Sequence, residues 1–173
     1  MRGDMKPKLI KAVLELEHLL EVDEKLEDSY QKFFEQNEIV FTVLGYKNFL
    51  AFTKASGNKL PKDESSELQP EPDFIVQRKN DGLFEIFEIE TPVSKNLVTD
   101  KNPYREKFTS EVQSYISQTI TYEQYFTRNP TNRQRVKELY GIDIQPDVDI
   151  KMVIGRNEYI DKSQIHQHAS IIP

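Results

Sequence analysis

Residues 72–90 read Pro-Asp-Phe-Ile-Val-Gln-Arg-Lys-Asn-Asp-Gly-Leu-Phe-Glu-Ile-Phe-Glu-Ile-Glu and are followed by Thr91-Pro92. An apolar run, a turn signal at Asn80-Asp81-Gly82 and a second apolar run spell a β-hairpin. Each run carries acid near its outer end: Asp73 on the first, Glu88 and Glu90 on the second. Acids are poor strand formers and costly to bury. Two apolar strands that aim acids at one spot suggest a divalent-metal site. The alternative is an ordinary amphipathic hairpin with acids at its wet end.

The register can be worked out from the turn. An Asn80-Asp81 loop pairs Lys79 with Gly82 and sets Asp73 opposite Glu88. An Asp81-Gly82 loop sets Asp73 opposite Glu90. Opposed residues share a sheet face, and Glu88 and Glu90 share one by the strand period of two. Either turn therefore puts all three acids on one face. A three-residue loop with a glycine bulge shifts the register by one and separates them.

At 173 residues the chain is one domain, or a domain with a helical extension. Hydrophobic residues make up 37%, enough for a core, and charged residues 30%. There is no cysteine, hence no disulfide framework and no thiolate metal site. No apolar stretch approaches a membrane span, and the segment from Leu9 to Val22 is broken by Glu15, Glu17, His18 and Glu21, unlike a signal peptide. The simplest compartment is the cytoplasm. A net charge of −6 argues mildly against nucleic acid as a partner. The charge is uneven, however. Lys95, Lys101, Arg105 and Lys107 cluster after the hairpin, and Arg128, Arg133, Arg135 and Lys137 cluster later. Each cluster is either a solvated helix face or a local positive potential for phosphates.

Apolar residues at helical spacing predict a helix over residues 7–22 and a second after Asp23, carrying Leu26, Tyr30, Phe33 and Phe34 and ending near Asn37. Residues 1–38 thus form an N-terminal helical segment and 39–173 the core. Ile39 to Leu44 is a strand candidate ended by Gly45. Phe49 to Phe52 fits a strand or a helical turn. Residues 54–72, rich in Ser, Gly and Pro, form a loop that is either mobile or functional, and it leads directly to Asp73. Pro103 opens a long helix over Tyr104 to Phe126, stopped by Asn129-Pro130. A short helix over Asn132 to Tyr140 ends at Gly141, a C-cap residue. Val148 to Ile154 is a strand. His166-x-His168 is exposed tail in preference to a metal ligand pair.

The long helix contains Gln118-Thr-Ile-Thr-Tyr122. Gln and Tyr at i and i+4 lie one turn apart on one helical face. Beside the hairpin they are placed to reach the acids. The competing reading is a core tyrosine beside a surface glutamine.

The order Pro-Asp, an interval, then Glu-x-Glu in place of Glu-x-Lys resembles the signature of PD-(D/E)xK phosphodiesterases. The Q-x-x-x-Y in the following helix is similar to the RecB-like branch of that group. Four segments extend the likeness to the nuclease domain of Shedu-type antiphage proteins. Tyr30-Gln-Lys-Phe-Phe-Glu-Gln-Asn37 resembles the family's leading "Q-x-F-L-E-x-N-P", with Glu38 at the proline. Pro72-Asp-Phe-Ile resembles "P-D-F", Glu88-Ile-Glu-Thr-Pro92 resembles "E-x-K-x-P", and Val153-Ile-Gly-Arg156 resembles "v-i-G-R". The resemblance implies an α/β fold with a PD-(D/E)xK nuclease-like core: a mixed sheet whose catalytic hairpin is flanked by helices, with a helical N-terminal extension. It implies Asp73 and Glu88 as ligands of Mg²⁺, or of Mn²⁺, with the Ile89 carbonyl as a further ligand. Gln118 and Tyr122 then orient phosphate, water or a carboxylate, and Glu27 is an additional acid from the leading helix. Lys95, Lys101, Arg105 and Arg156 become contacts to nucleic acid.

The departure is Glu90, where the family has lysine. Glu90 is then a general base, a ligand of a second metal, or the mark of a dead site; a migrated lysine, with Lys95 nearest, is a further option. The implied function is metal-dependent hydrolysis of DNA, with RNA also open as substrate, in antiphage defence. The rival is a degenerate nuclease-fold module that binds nucleic acid or assembles. The resemblance also implies a homo-oligomer, and the lack of a membrane-spanning stretch argues for no membrane partner. Shedu-type domains continue past the Gly-Arg strand, so the chain reads as shortened or as a fragment.

Overall fold

A computed structural model describes residues 5–22, 24–91 and 108–154. The elements run α1 (Met5–Glu21), α2 (Glu27–Gln36), α3 (Glu38–Val43), β1 (Tyr46–Ala51), β2 (Phe74–Arg78), β3 (Phe84–Ile89), α4 (Ser110–Arg128), α5 (Pro130–Tyr140) and β4 (Asp149–Val153). The four strands form one mixed sheet in the order β1-β2-β3-β4. β1 and β3 flank β2 antiparallel, and β4 joins β3 in parallel after the α4–α5 crossover.

The sheet buries both faces, which is why β2 and β3 read as near-continuous apolar runs. Phe74, Val76, Phe87 and Ile89 pack with Ala12, Tyr30, Phe33, Phe34 and Phe41 of the three leading helices. Ile75 and Ile86 point the other way, into a cluster with Tyr122, Tyr125, Phe126 and Val136 of α4 and α5. No helix among the described residues is long and apolar enough to cross a membrane.

The segment expected as a strand over Ile39 to Leu44 is helix α3 instead. Periodicity cannot separate a six-residue apolar run from a buried helical turn. Here only Phe41 is buried, while Val43 and Leu44 face solvent. Phe49 lies in β1, so the ambiguous stretch is mostly strand. The long helix starts later than Pro103 suggested. Thr109 caps it, its side chain accepting the Val112 N–H, so Phe108 precedes the helix.

The loop from 54 to 72 is docked on α4 and α5. Asp63 accepts Ser65 N–H, Ser65 Oγ–H and Asn132 Nδ2–H at 2.7, 2.6 and 2.7 Å. These donors hold its carboxyl well below the usual range. The Tyr125 hydroxyl donates to the Pro61 carbonyl at 2.5 Å, and Leu60 is buried in the α4/α5 cluster. The chain therefore reaches Asp73 along a fixed path.

One buried acid shows how this sheet treats a compensated charge. Glu85 on β3 is 1% exposed. It accepts the Tyr46 hydroxyl at 2.6 Å and Arg78 Nη1–H at 2.9 Å, and Lys151 Nζ lies 3.5 Å away. Arg78 also pairs with Asp149, so all four strands are tied through this network. Tyr46→Phe leaves one carboxylate oxygen short of a buried donor. It should cost about 1.5–3 kcal/mol in urea unfolding, and an unchanged midpoint would show that the hydroxyl contributes nothing.

Candidate functional site

The hairpin register is Phe74↔Phe87, Ile75↔Ile86, Val76↔Glu85 and Gln77↔Phe84. One step further sets Asp73 across from Glu88, as the Asn80-Asp81 turn predicts. The Arg78 N–H donates to the Leu83 carbonyl, so Arg78–Leu83 is a hydrogen-bonded pair. Alternation then makes Asp73–Glu88 a non-hydrogen-bonded pair, the kind whose side chains lie closest.

Asp73 is held on every side. Its N–H donates to Glu88 Oε1 at 3.1 Å, and its carbonyl accepts the Phe52 N–H at 2.8 Å. Its Oδ1 accepts Gln31 Nε2–H at 2.6 Å, and its Oδ2 accepts the Ile89 N–H at 2.7 Å. Gln31 in turn donates to Glu27 Oε1 at 2.7 Å, which links the start of α2 to the sheet. Glu27 and Gln31 sit at i and i+4, one helical face. Gln31 stood inside a segment with family likeness, yet its role needed the fold to appear.

The ladder between β2 and β3 ends at Phe74↔Phe87. Beyond it the Asp73 carboxylate takes the Ile89 N–H, and Ile89 is 2% exposed.

Asp73, Glu88 and Glu90 are all buried. Burial, and then the charge of Asp73 with Glu90 and Glu27 behind it, raises Glu88 far above the usual carboxylate range. Burial and the charge of Glu27 raise Asp73, against the opposing Ile89 and Gln31 donors. Burial and the charges of Glu27, Asp73 and Glu111 push Glu90 up to about 7, opposed by a hydrogen bond from Tyr115. Glu27 is raised by burial and by Asp28. Among the described residues, no lysine or arginine forms an ion pair with Asp73, Glu88 or Glu90.

The raised values fix a sign. The folded state binds more protons than the unfolded chain above the ordinary carboxylate value of 4.5, so stability is full below that pH and is lost as pH rises through about 7 for Glu90. Asp73 and Glu88 act in the same direction. Without metal, the melting temperature should fall by roughly 5–10 °C between pH 5 and pH 8. A profile that is flat or rising in calorimetry would contradict this charge arrangement.

Gln118 is exposed and donates to the Tyr122 hydroxyl at 2.5 Å. Tyr122 is buried and donates to the Glu71 carbonyl at 2.9 Å. Burial and the charge of Glu88 raise the Tyr122 hydroxyl. The pair therefore stands beside the acids, but it holds the backbone that delivers Asp73 and, among the described residues, makes no hydrogen bond to a carboxylate. The Tyr115 hydroxyl donates to Glu111 Oε1 at 3.2 Å and lies beside Glu90. Lys95, Lys101, Arg105 and Arg156 lie outside the described residues, as does His166-x-His168. In the later basic cluster, Arg135 donates to the Lys62 carbonyl and Lys137 pairs with Asp143. Those charges serve loop and helix ends.

Among the described residues, no three His, Cys, Asp or Glu side chains form a ready cage for an ion. Mg²⁺ needs none: it is usually held by one or two carboxylates and completes its shell with water. Two facing carboxylates with the Ile89 carbonyl next along the strand are hard oxygen donors of that kind, so the residues fit such an ion.

The family model described as Shedu protein SduA, C-terminal, matches residues 24–171. A comparison with curated proteins finds no match.

Proposed function

The chain belongs to the Shedu protein SduA C-terminal family, which implies a role in antiphage defence, and on that premise we propose that it is a metal-dependent DNA nuclease of the PD-(D/E)xK type. The observation that supports this reading is the charge balance along β3. Glu85 is buried with Arg78, Tyr46 and Lys151 around it. Three residues on, Glu88 is buried with Asp73, Glu90 and Glu27 as its charged neighbours. Uncompensated buried charge is expensive, and a bound cation removes the expense.

Asp73, Glu88 and the Ile89 carbonyl would hold Mg²⁺ or Mn²⁺. When bound, such an ion stabilises charge on the phosphoryl group and acidifies water. The hydrogen bonds from Gln31 and Ile89 fix the Asp73 carboxylate before any ligand arrives, so little reorganisation accompanies binding. Glu90, with a carboxyl near neutrality, is suited to accept a proton from attacking water. Gln118 and Tyr122 act through Glu71 by positioning the strand entry.

The test is calorimetric titration of the protein with Mg²⁺ and Mn²⁺, with plasmid cleavage followed in parallel. Binding together with nicking supports the nuclease. Binding without nicking under either metal favours the second reading, a degenerate module, which Glu90 in place of lysine supports. Absence of binding removes both metal roles.

A further inference from the structure

Gln31 directs its side-chain N–H groups at two acids, Glu27 Oε1 and Asp73 Oδ1. The residue is 8% exposed, and among the described residues no donor reaches its side-chain oxygen. A buried amide with both donors used and its acceptor idle is uncommon and costs stability. The same side chain lines a cleft of about 170 Å³ between α2 and the turn after β1, with Asp28, Lys32, Glu35, Thr53 and Lys54 around it.

The wall facing α2 is anchored. The Phe52 N–H donates to the Asp73 carbonyl, and the Thr53 hydroxyl donates to Glu35. Lys54 comes next and is held by little. Its Nζ lies 3.4 Å from Asp28 Oδ1, with the two side chains 87% and 64% exposed. So long and so exposed a pair contributes little. Asp28 and Gln31 stand at i and i+3 of α2, neighbours on one face with Cβ atoms about 5–6 Å apart. The Lys54 ammonium thus passes from one to the other by shifting a single helical turn. Lys32 also lines the cleft, but it follows Gln31 directly and points about 100° away around the helix.

We propose that Lys54 is a positioning residue of the acidic site: its ammonium moves from Asp28 to the Gln31 side-chain oxygen and locks the amide that holds Asp73. A flipped amide would turn that oxygen onto two carboxylates. An ammonium on the oxygen fixes the orientation in which the N–H groups face Glu27 and Asp73. It also polarises the amide, which strengthens both bonds. It brings positive charge to a cluster where Glu90 stands in place of the family's lysine, and the Lys54 charge already acts on Glu27. The inference rests on these acids being the working site proposed above, but its test requires neither metal nor cleavage.

That test is calorimetric melting of the metal-free full chain at pH 8, with Lys54→Met made in three backgrounds. In the natural sequence it should lower the melting temperature by roughly 3–5 °C, and Lys54→Arg should keep most of the loss away. In an Asp28→Asn background the same loss should persist. In a Gln31→Met background it should vanish, since nothing is left to hold. An ordinary surface ion pair gives the reverse: the effect of Lys54 disappears with Asp28 and survives without Gln31. That result overturns the proposal, as does a Lys54→Met chain that melts like the natural one. If Gln31→Met fails to fold, the side-chain amide resonances of Gln31 decide. Lys54→Met should move and broaden them as the amide is freed to flip, and unmoved resonances would refute the lock. A protein that neither binds Mg²⁺ nor nicks plasmid would remove the nuclease reading and leave these melting results standing.

Discussion

Asp73→Asn is expected to lower Mg²⁺-dependent cleavage by on the order of 10³-fold or more. The substitution keeps the shape and removes the charge that a cation needs. Asparagine has one acceptor oxygen where aspartate has two, and both are in use, by Gln31 and by Ile89. The new amide group must then face a donor unless Gln31 flips, and a flip turns the Gln31 carbonyl toward Glu27. The variant therefore gains relief from carboxylate repulsion and loses one good hydrogen bond. At pH 8 the repulsion dominates, and its melting temperature should match or exceed that of the unsubstituted protein. At pH 5 the raised carboxyls of Glu88 and Glu90 carry less charge, so the repulsion is weaker, the lost hydrogen bond dominates and the variant should melt lower. Its calorimetric response to Mg²⁺ should vanish at both. Unchanged cleavage by a variant that no longer binds metal would place the activity elsewhere.

The hairpin was legible because turn chemistry and strand period are local. Asn80-Asp81-Gly82 and the strand period narrow the partner of Asp73 to Glu88 or Glu90 in a two-residue turn, and the observed register selects Glu88. Helices α1, α2, α4 and α5 were legible for the same reason, and Gly141 ends α5 in the left-handed conformation that favours glycine. What stayed hidden depends on contacts between distant segments. Nothing local marks Ile39 to Leu44 as helix, since six apolar residues suit either state. Gln31 is an ordinary helix polar residue until α2 is laid beside Asp73, 42 residues later. Glu85 and Glu88 look alike in sequence, but one meets Arg78 and Lys151 and the other meets acids.

Glu90 carries the second large effect. It follows β3, where its N–H donates to the Val153 carbonyl, so its backbone is fixed against β4. Its carboxyl is held near neutrality and touches Tyr115. A carboxylate in that state suits a general base, and Glu90→Gln should then cut cleavage by on the order of 10²-fold or more, with Mg²⁺ affinity at Asp73 and Glu88 little changed. Glu90→Lys does something different. An ammonium there sits among Glu27, Asp73 and Glu111, neutralises part of the cluster and should raise the metal-free melting temperature. It restores the commoner family pattern, so some cleavage should persist, with any second ion displaced by the lysine charge. Three proteins on one gel, each with Mg²⁺ and with Mn²⁺, separate the readings. An active natural protein with a crippled Glu90→Gln supports a working base or ligand. An inactive natural protein that gains nicking through Glu90→Lys identifies a nuclease fold whose site was switched off by a single charge reversal. An active natural protein indifferent to both changes would show that Glu90 is no part of the chemistry, leaving its burial beside Tyr115 as a purely structural contact.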